Sequence, residues 1–320
     1  MSRWTASDIP PQAGRTAVVT GTGGLGFEDA LALARAGADI VLAGRNPSKG
    51  ANAVDRIVRQ VSAAKIRFEL LDLADLESVA GFAARLQGCQ DRLDLLINNA
   101  GVMVPPKRQV TKDGFELQLG TNYLGHFALT AHLMPLLCNG DGARVISLSS
   151  IAAPQGQIDF ADLNATRSYK AMAVYAQSKL ACLLFAFELQ RRSDAAGWGL
   201  TSIAAHPGVA RTDLLHNGPG RQSLHGRVRS FLPFLFQPAD RGALPTLFAA
   251  TSPNAAPGGY YGPHRFAELR GYPAPAKIPR QALDEDVAAR LWDFSEQLIG
   301  VRFGHGGSAP ALPAPGTPLL

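Results

Sequence analysis

Short apolar runs alternate with longer amphipathic segments along the first two thirds of the chain. The runs are rich in β-branched residues and are typical of strands buried on both faces. The predicted strands are Thr16–Thr20, 39–43, 66–70, 93–97, 143–148 and Thr201–Ala205. The predicted helices are 30–36, 51–61, 76–86, 115–137 and 175–192. Because strands that alternate with helices form βαβ units, the pattern predicts a Rossmann-type doubly wound parallel sheet in a three-layer α/β/α sandwich.

This pattern predicts a single domain over residues 14–303, preceded by an N-terminal extension at residues 1–13. Residues 214–238, which are rich in Gly, Pro, Arg and aromatic side chains, interrupt the alternation. Residues 304–320 are rich in Gly, Ala and Pro and are predicted to be a disordered tail.

Composition narrows the classes of function. The 320-residue chain is 46% apolar and 18% charged, as globular proteins are, and its net charge of +5 comes from scattered residues. No basic tail for nucleic acid is expected, and the charge either suits an anionic cofactor or only aids solubility.

Three cysteines without a CxxC spacing argue against a disulfide framework or a zinc site. With no signal peptide and no long apolar span, a soluble cytoplasmic protein is expected.

A glycine-rich turn follows the first predicted strand. Gly21, Gly23 and Gly26 form a G-x-G-x-x-G motif between that strand and a helix. Glycines permit the tight turn and let backbone N–H groups approach a pyrophosphate at the positive end of the helix. The motif alone is weak, because a plain structural turn can have the same sequence. In this context it predicts a dinucleotide site.

The end of the second strand indicates which dinucleotide binds. Dinucleotide sites that bind NAD have an acid about twenty residues after the first glycine. Here Arg45 stands there instead, and Lys49 adds charge. A guanidinium pairs well with a 2′-phosphate, so NADP(H) is predicted rather than NAD. The alternative is that Arg45 is a solvated loop residue.

A tyrosine and a lysine are spaced for carbonyl chemistry. Tyr175 and Lys179 form a Y-x-x-x-K pair, and residues four apart share one face of a helix. Carbonyl reduction needs a proton donor for the developing alkoxide, and a nearby ammonium favours the phenolate form that follows proton release.

Further motifs occur in a fixed order between about residues 14 and 300. They are 20–26, Arg45-Asn46, Asp72-Leu73, 98–101 (NNAG), 122–127 (NYLGHF), Ser149-Ser150, 175–179, 206–209 (HPGV) with Thr212, and 259–263 (GYYGP). Together they resemble the short-chain dehydrogenase/reductase family. Within it the chain resembles the retinol-dehydrogenase-like branch, which includes the WW-domain oxidoreductases.

The resemblance implies a role for each matching residue. Tyr175 would be the general acid/base, Lys179 would hold the nicotinamide ribose, and Ser150 would hydrogen-bond the substrate oxygen. Asn122 would support a water and proton relay behind Lys179, while Ser149 is the competing serine. The implied cofactor-binding residues are Gly21, Gly23, Gly24, Leu25, Gly26, Arg45, Asp72, Leu73, Asn99, Ala100, Gly101, Tyr175, Lys179, Pro207, Gly208, Val209 and Thr212. His126 is expected to be structural.

The implied function is an NADP(H)-dependent oxidoreductase that interconverts a small-molecule carbonyl and an alcohol. An apolar lid at residues 214–238 would suit a lipophilic ketone or aldehyde, although ordinary packing or an oligomer contact explains its apolar residues equally well. Family members often pair through long helices, so a homodimer or homotetramer is expected.

The glycine loop departs from the family pattern and motivates other hypotheses. The family's loop is T-G-x-x-x-G-x-G, with three residues between its first two glycines. Here the corresponding glycines are Gly21 and Gly24, which are one residue closer in sequence. A non-catalytic dinucleotide-sensing protein is therefore the second hypothesis. A C=C reductase or a sugar epimerase with the same Tyr/Lys pair is the third, although an epimerase usually has a larger C-terminal domain.

Overall fold

The computed structural model describes residues 3–210 and 237–304 of the chain. The described part of the N-terminal extension packs on the domain, where the Trp4 and Phe248 rings meet edge to face at 5.4 Å. Residues 211–236 contain most of the predicted lid, and both this segment and residues 305–320 of the predicted tail lie outside the described residues. The proposed division into extension, domain, lid and tail stays a prediction.

One mixed sheet organises the described residues, and its strand order is β3-β2-β1-β4-β5-β6-β7-β8. The strands are β1 Thr16–Thr20, β2 Asp39–Gly44, β3 Lys65–Leu70, β4 Leu95–Asn98, β5 Arg144–Leu148, β6 Thr201–Ala205, β7 Tyr260–Arg265 and β8 Arg270–Pro275. Strands β1 to β7 are parallel. Strand β8 is antiparallel to β7, as a short hairpin connection requires.

Helices cover both faces of this sheet. They are α1 Gly24–Arg35, α2 Pro47–Gln60, α3 Leu76–Gln87, α4 Gly125–Cys138, α5 Ala171–Ala196, α6 Ala239–Thr251 and α7 Glu285–Ile299. One core lies under α1, α2 and α6, and the other lies under α3, α4, α5 and α7. Within β1, Ala17 and Val19 point into the first core and Val18 into the second. The predicted three-layer Rossmann-type sandwich is confirmed.

The predicted helix over 115–137 is wrong in its first part. A π-helical segment occupies Leu119–Leu124, and only then does α4 begin at Gly125. A π turn contains an additional residue per turn and is common at functional sites. Every residue of the π segment is buried, so no polar face marks the change of period. Helix α5 is also longer than predicted, because it begins four residues earlier and ends four later.

The outer sides of α4 and α5 pack against the C-terminal part of the domain. The Phe127 ring lies 5.0 Å from the Trp292 ring on α7, and Trp292 lies 4.3 Å from Phe303. The Phe185 ring on α5 stacks on Trp292 at 5.7 Å. These aromatic contacts anchor α7, and pairing of two chains through the long helices stays a prediction.

Helix α5 is the one candidate for a membrane span among the described helices. It meets the criteria of length and composition, but 83% of the candidate window is buried inside the fold. A core helix of a soluble protein meets the same criteria, so this is weak evidence for a span.

Asp29 is a buried acid in the middle of α1. Its side chain is 0% exposed, and neither carboxylate oxygen has a hydrogen-bond partner among the described residues. Burial, reinforced by the neighbouring Glu28 carboxylate, raises the pKa of Asp29 well above its ordinary value. The folded state therefore favours the neutral carboxylic acid.

This acid is expected to make stability depend on pH. Because the folded pKa exceeds the unfolded pKa, its contribution is complete at low pH and is lost as pH rises through the folded pKa. Asp29→Asn keeps the shape of the side chain but cannot ionise. Between the unfolded and the folded pKa of Asp29, the free energy of unfolding of this variant should therefore rise relative to that of the natural protein by about 1.4 kcal/mol per pH unit. Urea unfolding from pH 4 to 8 measures this difference, and parallel pH profiles of the two proteins would contradict it.

Candidate active site

A cavity of about 680 Å³ opens at the carboxyl ends of β1, β2 and β4. Ligands of doubly wound sheets bind at this edge, where the strand order reverses. Here β1 lies between β2 and β4, so the reversal is beside the glycine loop. The predicted residues that line the cavity are Gly21, Gly23, Gly24, Leu25, Arg45, Asp72, Leu73, Asn99, Ala100, Gly101 and Lys179.

The remaining predicted residues stand outside that lining. Gly26 lies beneath the loop, and Tyr175 packs beside the cavity's Lys179 end. Pro207, Gly208 and Val209 form the turn after β6. Thr212 lies outside the described residues.

The glycine loop is held against the end of β4. A Cβ on Gly26 would collide with the carbonyl oxygen of Gly21, and one on Gly21, where φ is +96°, would approach the Asn99 Nδ2 to 2.8 Å. The Asn99 side chain in turn donates to the Thr20 carbonyl at 2.7 Å. Helix α1 begins at Gly24, so its unpaired N–H groups and positive dipole end face the cavity.

Three cations line the other side of the cavity: Arg45, Lys49 and Arg56. None of them takes part in a salt bridge within residues 3–210 and 237–304. The Arg56 guanidinium carbon lies 4.1 Å from the centre of the Phe27 ring, a cation–π contact that holds it near the loop. Asn46 caps α2 by accepting the Lys49 N–H at 2.9 Å.

Sequence reasoning missed Arg56. Residues 49, 52, 53 and 56 all line the cavity, and this spacing places them on one face of α2. This periodicity could have indicated from the sequence that Arg56 faces the cavity. It was not decisive, because a cation on a helix usually faces solvent.

Lys179 connects α5 to the end of β5. Its ammonium donates to the Leu148 carbonyl at 3.0 Å and is buried. Tyr175, one turn earlier on the same helix, is 5% exposed and packs with Ala152, Met103 and Val104. Tyr175 is therefore held among apolar side chains, whereas Lys179 lies at the polar end of the cavity.

The two serines after β5 have different surroundings. Ser149 is buried and its hydroxyl donates to the Lys179 carbonyl at 2.8 Å. Ser150 is partly exposed, and its oxygen accepts the Ala152 N–H at 3.2 Å, which leaves its own O–H able to donate. Of the two hydroxyls, that of Ser150 is thus available to a ligand, and the assignment of Ser150 as the substrate-binding serine stays a prediction.

Asn122 lies in the π-helical segment and fixes the neighbouring chain. Its side chain accepts the Val102 N–H at 2.7 Å and donates to the Val102 carbonyl at 3.0 Å and to Ser178 at 2.9 Å. A Cβ on Gly101 would lie 3.0 Å from the Asn122 Oδ1 and 3.7 Å from the Lys179 Nζ. Asn122, Gly101 and Lys179 thus converge at one point.

The backbone carbonyl of Asn122 is occupied by protein donors. His126 Nδ1 lies 2.9 Å from it and the Cys182 thiol donates to it at 3.2 Å. Burial lowers the pKa of His126 to about 4, so the ring is neutral at pH 7. Because the Asn122 carbonyl can only accept, the single ring hydrogen lies on Nδ1. Both lone pairs of this carbonyl are therefore used within the protein, and a relay water would need a different acceptor.

The turn after β6 is fixed by a buried histidine. His206 is 0% exposed, its Nδ1 accepts the Gly208 N–H at 3.2 Å, and its Nε2 donates to Glu268 at 3.0 Å. The hydrogen bond from His206 lowers the pKa of Glu268. Val209 N–H donates to the Leu269 carbonyl at 2.9 Å. The β7–β8 connection therefore holds this turn in place.

Comparison with known proteins shows the family of this chain. Residues 15–221 match the family model of the short chain dehydrogenases. The chain belongs to the short-chain dehydrogenase family. It is 40% identical over 302 residues to the polyprenol dehydrogenase of Mus musculus, covering 92% of this chain and 87% of that protein. It is 41% identical over 299 residues to the human (Homo sapiens) retinol dehydrogenase 13, covering 90% and 85%. These relatives place it in the retinol-dehydrogenase-like branch.

Solved structures agree with the fold. An uncharacterised protein from Mycobacterium paratuberculosis superimposes with a TM-score of 0.78 at 40% identity, covering 95% of this chain and 100% of that one. A short chain dehydrogenase from Shigella flexneri in complex with NADP gives a TM-score of 0.59 at 22% identity, covering 78% and 96%, and supports the fold alone.

The two serines can be separated by substitution. Ser150→Ala should lower kcat at least about 100-fold, because the donor to the developing oxyanion is removed. Ser149→Ala is the matched control and should change kcat less than about tenfold, with a stability loss of about 1 kcal/mol from the lost hydrogen bond. Steady-state reduction of retinal with NADPH and thermal unfolding measure both. The reverse ranking of the two variants would show that Ser149 binds the substrate.

Proposed function

We propose that this protein is an NADP(H)-dependent oxidoreductase that interconverts a lipophilic carbonyl and its alcohol, with Tyr175 as general acid and base. The observation that carries the proposal is the distribution of charge in the cavity: Lys179 stands at one end and Arg45, Lys49 and Arg56 at the other. That arrangement suits a molecule with a ribose near Lys179 and a phosphate dianion near the three cations.

The residues present fit such a dinucleotide. The N-terminus of α1 and the glycine loop supply backbone N–H groups for a pyrophosphate, and the missing Cβ at Gly21 leaves the approach open. Asp72 and Leu73 line the part of the cavity that the resemblance gives to the adenine. Arg45, Lys49 and Arg56 form no salt bridge with a described residue, and their positive charge favours a 2′-phosphate, and hence NADP(H) over NAD(H).

The chain's own residues supply the acid–base chemistry. NADPH would supply the hydride for the carbonyl carbon when it is bound. Ser150 donates a hydrogen bond to the carbonyl oxygen, and Tyr175 transfers its phenolic proton to that oxygen as negative charge develops. The Lys179 ammonium stabilises the resulting tyrosinate. Met103 and Val104 pack against Tyr175, which is 5% exposed, and keep most of its side chain away from bulk water.

A lipophilic substrate class is supported from two directions. The apolar side chains of Met103, Val104 and Ala152 surround Tyr175, where the reacting carbonyl must lie. The relatives named above are a polyprenol dehydrogenase and a retinol dehydrogenase, whose names describe long apolar alcohols.

The two arginines of the cavity should set the preference for the 2′-phosphate. Arg45→Gln and Arg56→Gln should each weaken NADPH binding by about tenfold and leave NADH binding within about twofold, because only the first ligand has the extra dianion. Arg59→Gln, also on α2 but outside the cavity lining, is the control. Titration of cofactor fluorescence measures the dissociation constants. An equal loss for both cofactors would argue against 2′-phosphate recognition.

Tyr175→Phe tests the catalytic assignment and separates an enzyme from a dinucleotide sensor. The variant should lose at least about 1000-fold in kcat, since the proton donor is removed, while its NADPH dissociation constant changes less than about threefold. Retinal and a medium-chain aldehyde are suitable substrates for the assay. NADPH binding without turnover of either substrate by the natural protein would favour the non-catalytic hypothesis. Turnover that survives in the variant would remove Tyr175 from the mechanism.

A further inference from the structure

The connection between β7 and β8 has an unusual backbone. Phe266, Ala267 and Glu268 are consecutive and have φ values of 53°, 50° and 66°. This left-handed region is disfavoured for residues with a Cβ, and single residues rather than runs adopt it routinely. Such strain persists where the surrounding structure imposes it, and it concentrates at functional sites.

The turn points two side chains in opposite directions. Glu268 faces inward, where it accepts from His206 at 3.0 Å and from the Lys277 N–H at 2.7 Å. Phe266 faces outward and is 62% exposed, the largest exposed fraction among the large apolar side chains of the described residues. The strained turn therefore holds an isolated phenyl ring in solvent.

Cations and a second aromatic ring lie on the same hairpin or pack against it. The Tyr272 ring stacks on His264 at 5.9 Å, and the guanidinium carbons of Arg241 and Arg3 lie 5.4 Å and 6.0 Å from its centre. Arg265, next to Phe266 in sequence, donates to His264 at 3.1 Å. We call Arg3, Arg241, His264, Arg265, Phe266 and Tyr272 the hairpin patch.

The arginines of the hairpin patch lack salt-bridge partners in the part of the chain that the structure describes. Arg3, Arg241 and Arg265 are exposed and form no salt bridge with any residue that the structure describes. Their charge is therefore available to an external anion. A protruding apolar side chain among unpaired cations is the composition that binds an anionic membrane surface.

The patch lies at the same edge of the sheet as the candidate active site. Glu268 and Leu269 of the hairpin bond directly to His206 and Val209, which follow β6 at its carboxyl end. A lipophilic substrate of the kind proposed above dissolves in a bilayer rather than in water. An enzyme that takes it up gains from resting on that surface with the site's edge towards the lipid.

We propose that the hairpin patch docks this protein on the surface of an anionic phospholipid bilayer. Phe266 inserts at the level of the headgroups, and Arg3, Arg241 and Arg265 pair with lipid phosphates. A bilayer fits better than a folded partner, because the apolar contact is one projecting ring rather than a groove or a broad face. The substrate argument rests on the proposed function, whereas the geometry of the patch does not.

Co-sedimentation of the full chain with vesicles tests the proposal and needs neither cofactor nor substrate. The vesicles are equal parts phosphatidylglycerol and phosphatidylcholine, with phosphatidylcholine alone as the uncharged control. Phe266→Asn removes the ring and favours the left-handed backbone, so the variant should fold. Arg241→Gln/Arg265→Gln removes two of the cations.

Control variants come from β3, which is the outermost strand on the other side of the sheet from β8; Lys65 there pairs with Asp39 at 3.6 Å. Leu70 is 48% exposed and the Lys65 side chain is 76% exposed, so Leu70→Asn and Lys65→Gln remove an exposed apolar group and a cation far from the hairpin.

The natural protein should bind the anionic vesicles, and 0.5 M salt should weaken this binding. Phe266→Asn should lower the partition coefficient about tenfold and the double arginine variant about 25-fold, while the β3 variants bind as the natural protein does. Equal binding to uncharged vesicles, no binding to either kind, or equal losses in the β3 variants would overturn the proposal. Normal vesicle binding by a protein that shows no turnover would reject the proposed function and leave the docking surface intact.

Discussion

The hydroxyl of Thr20 joins the three parts of the chain from which the candidate site is built. Its oxygen accepts the N–H groups of Asn99 and Ala100, both at 2.9 Å, and lies 2.9 Å from His126 Nε2. Since His126 carries its hydrogen on Nδ1, the Nε2 must accept, and the hydroxyl proton goes to it, with the Ile97 carbonyl as a longer second acceptor at 3.3 Å. One buried group therefore uses its whole hydrogen-bonding capacity to fix the end of β1, the end of β4 and the helical segment of Asn122.

This network explains how a glycine loop one residue shorter than the family's can keep its shape. The loop begins at Thr20, which the network holds, and ends on α1, where Gly26 packs against Gly21. Asn99 closes the remaining gap by donating to the Thr20 carbonyl. Both ends of the loop are therefore fixed, and neither contact depends on the residues between Gly21 and Gly24, where the loop is shorter. The loop then presents backbone N–H groups to the cavity, and the positive charge on the facing wall comes from Arg45 and from Lys49 and Arg56 on α2.

Much of the fold could be predicted from the sequence, because parallel strands buried on both faces are continuous apolar runs. All six predicted strands were confirmed, within two residues at each end. The π-helical segment could not be predicted, since it is buried on every side and leaves no polar face with a measurable period. Strands β7 and β8 and helices α6 and α7 were not predicted. They follow the irregular segment, where the alternation of strands and helices no longer guides assignment.

Candidate site residues could be proposed from the sequence where the residue type and its spacing indicate a role. They were missed where the position of a side chain depends on a contact with a distant residue. The Tyr175–Lys179 spacing is visible in the sequence, whereas the role of Ser149 depends on the carbonyl of Lys179, thirty residues away. Arg56 is directed to the cavity by the ring of Phe27, which belongs to another helix. Tertiary contacts of this kind have no local sequence pattern.

Topology also brings the active-site edge and the hairpin together. Parallel strands place all their carboxyl ends at one edge, and the connection from β7 to the antiparallel β8, with its three left-handed residues, lies at that edge. The same turn that exposes Phe266 directs Glu268 to His206, whose other nitrogen holds the Gly208 N–H. Because the hydrogen bond from His206 lowers the pKa of Glu268, the carboxylate is charged at neutral pH and the contact is charge-assisted. The backbone strain at the tip is therefore balanced by a bond that fixes the turn after β6, so the surface patch and the cofactor side of the site share one support.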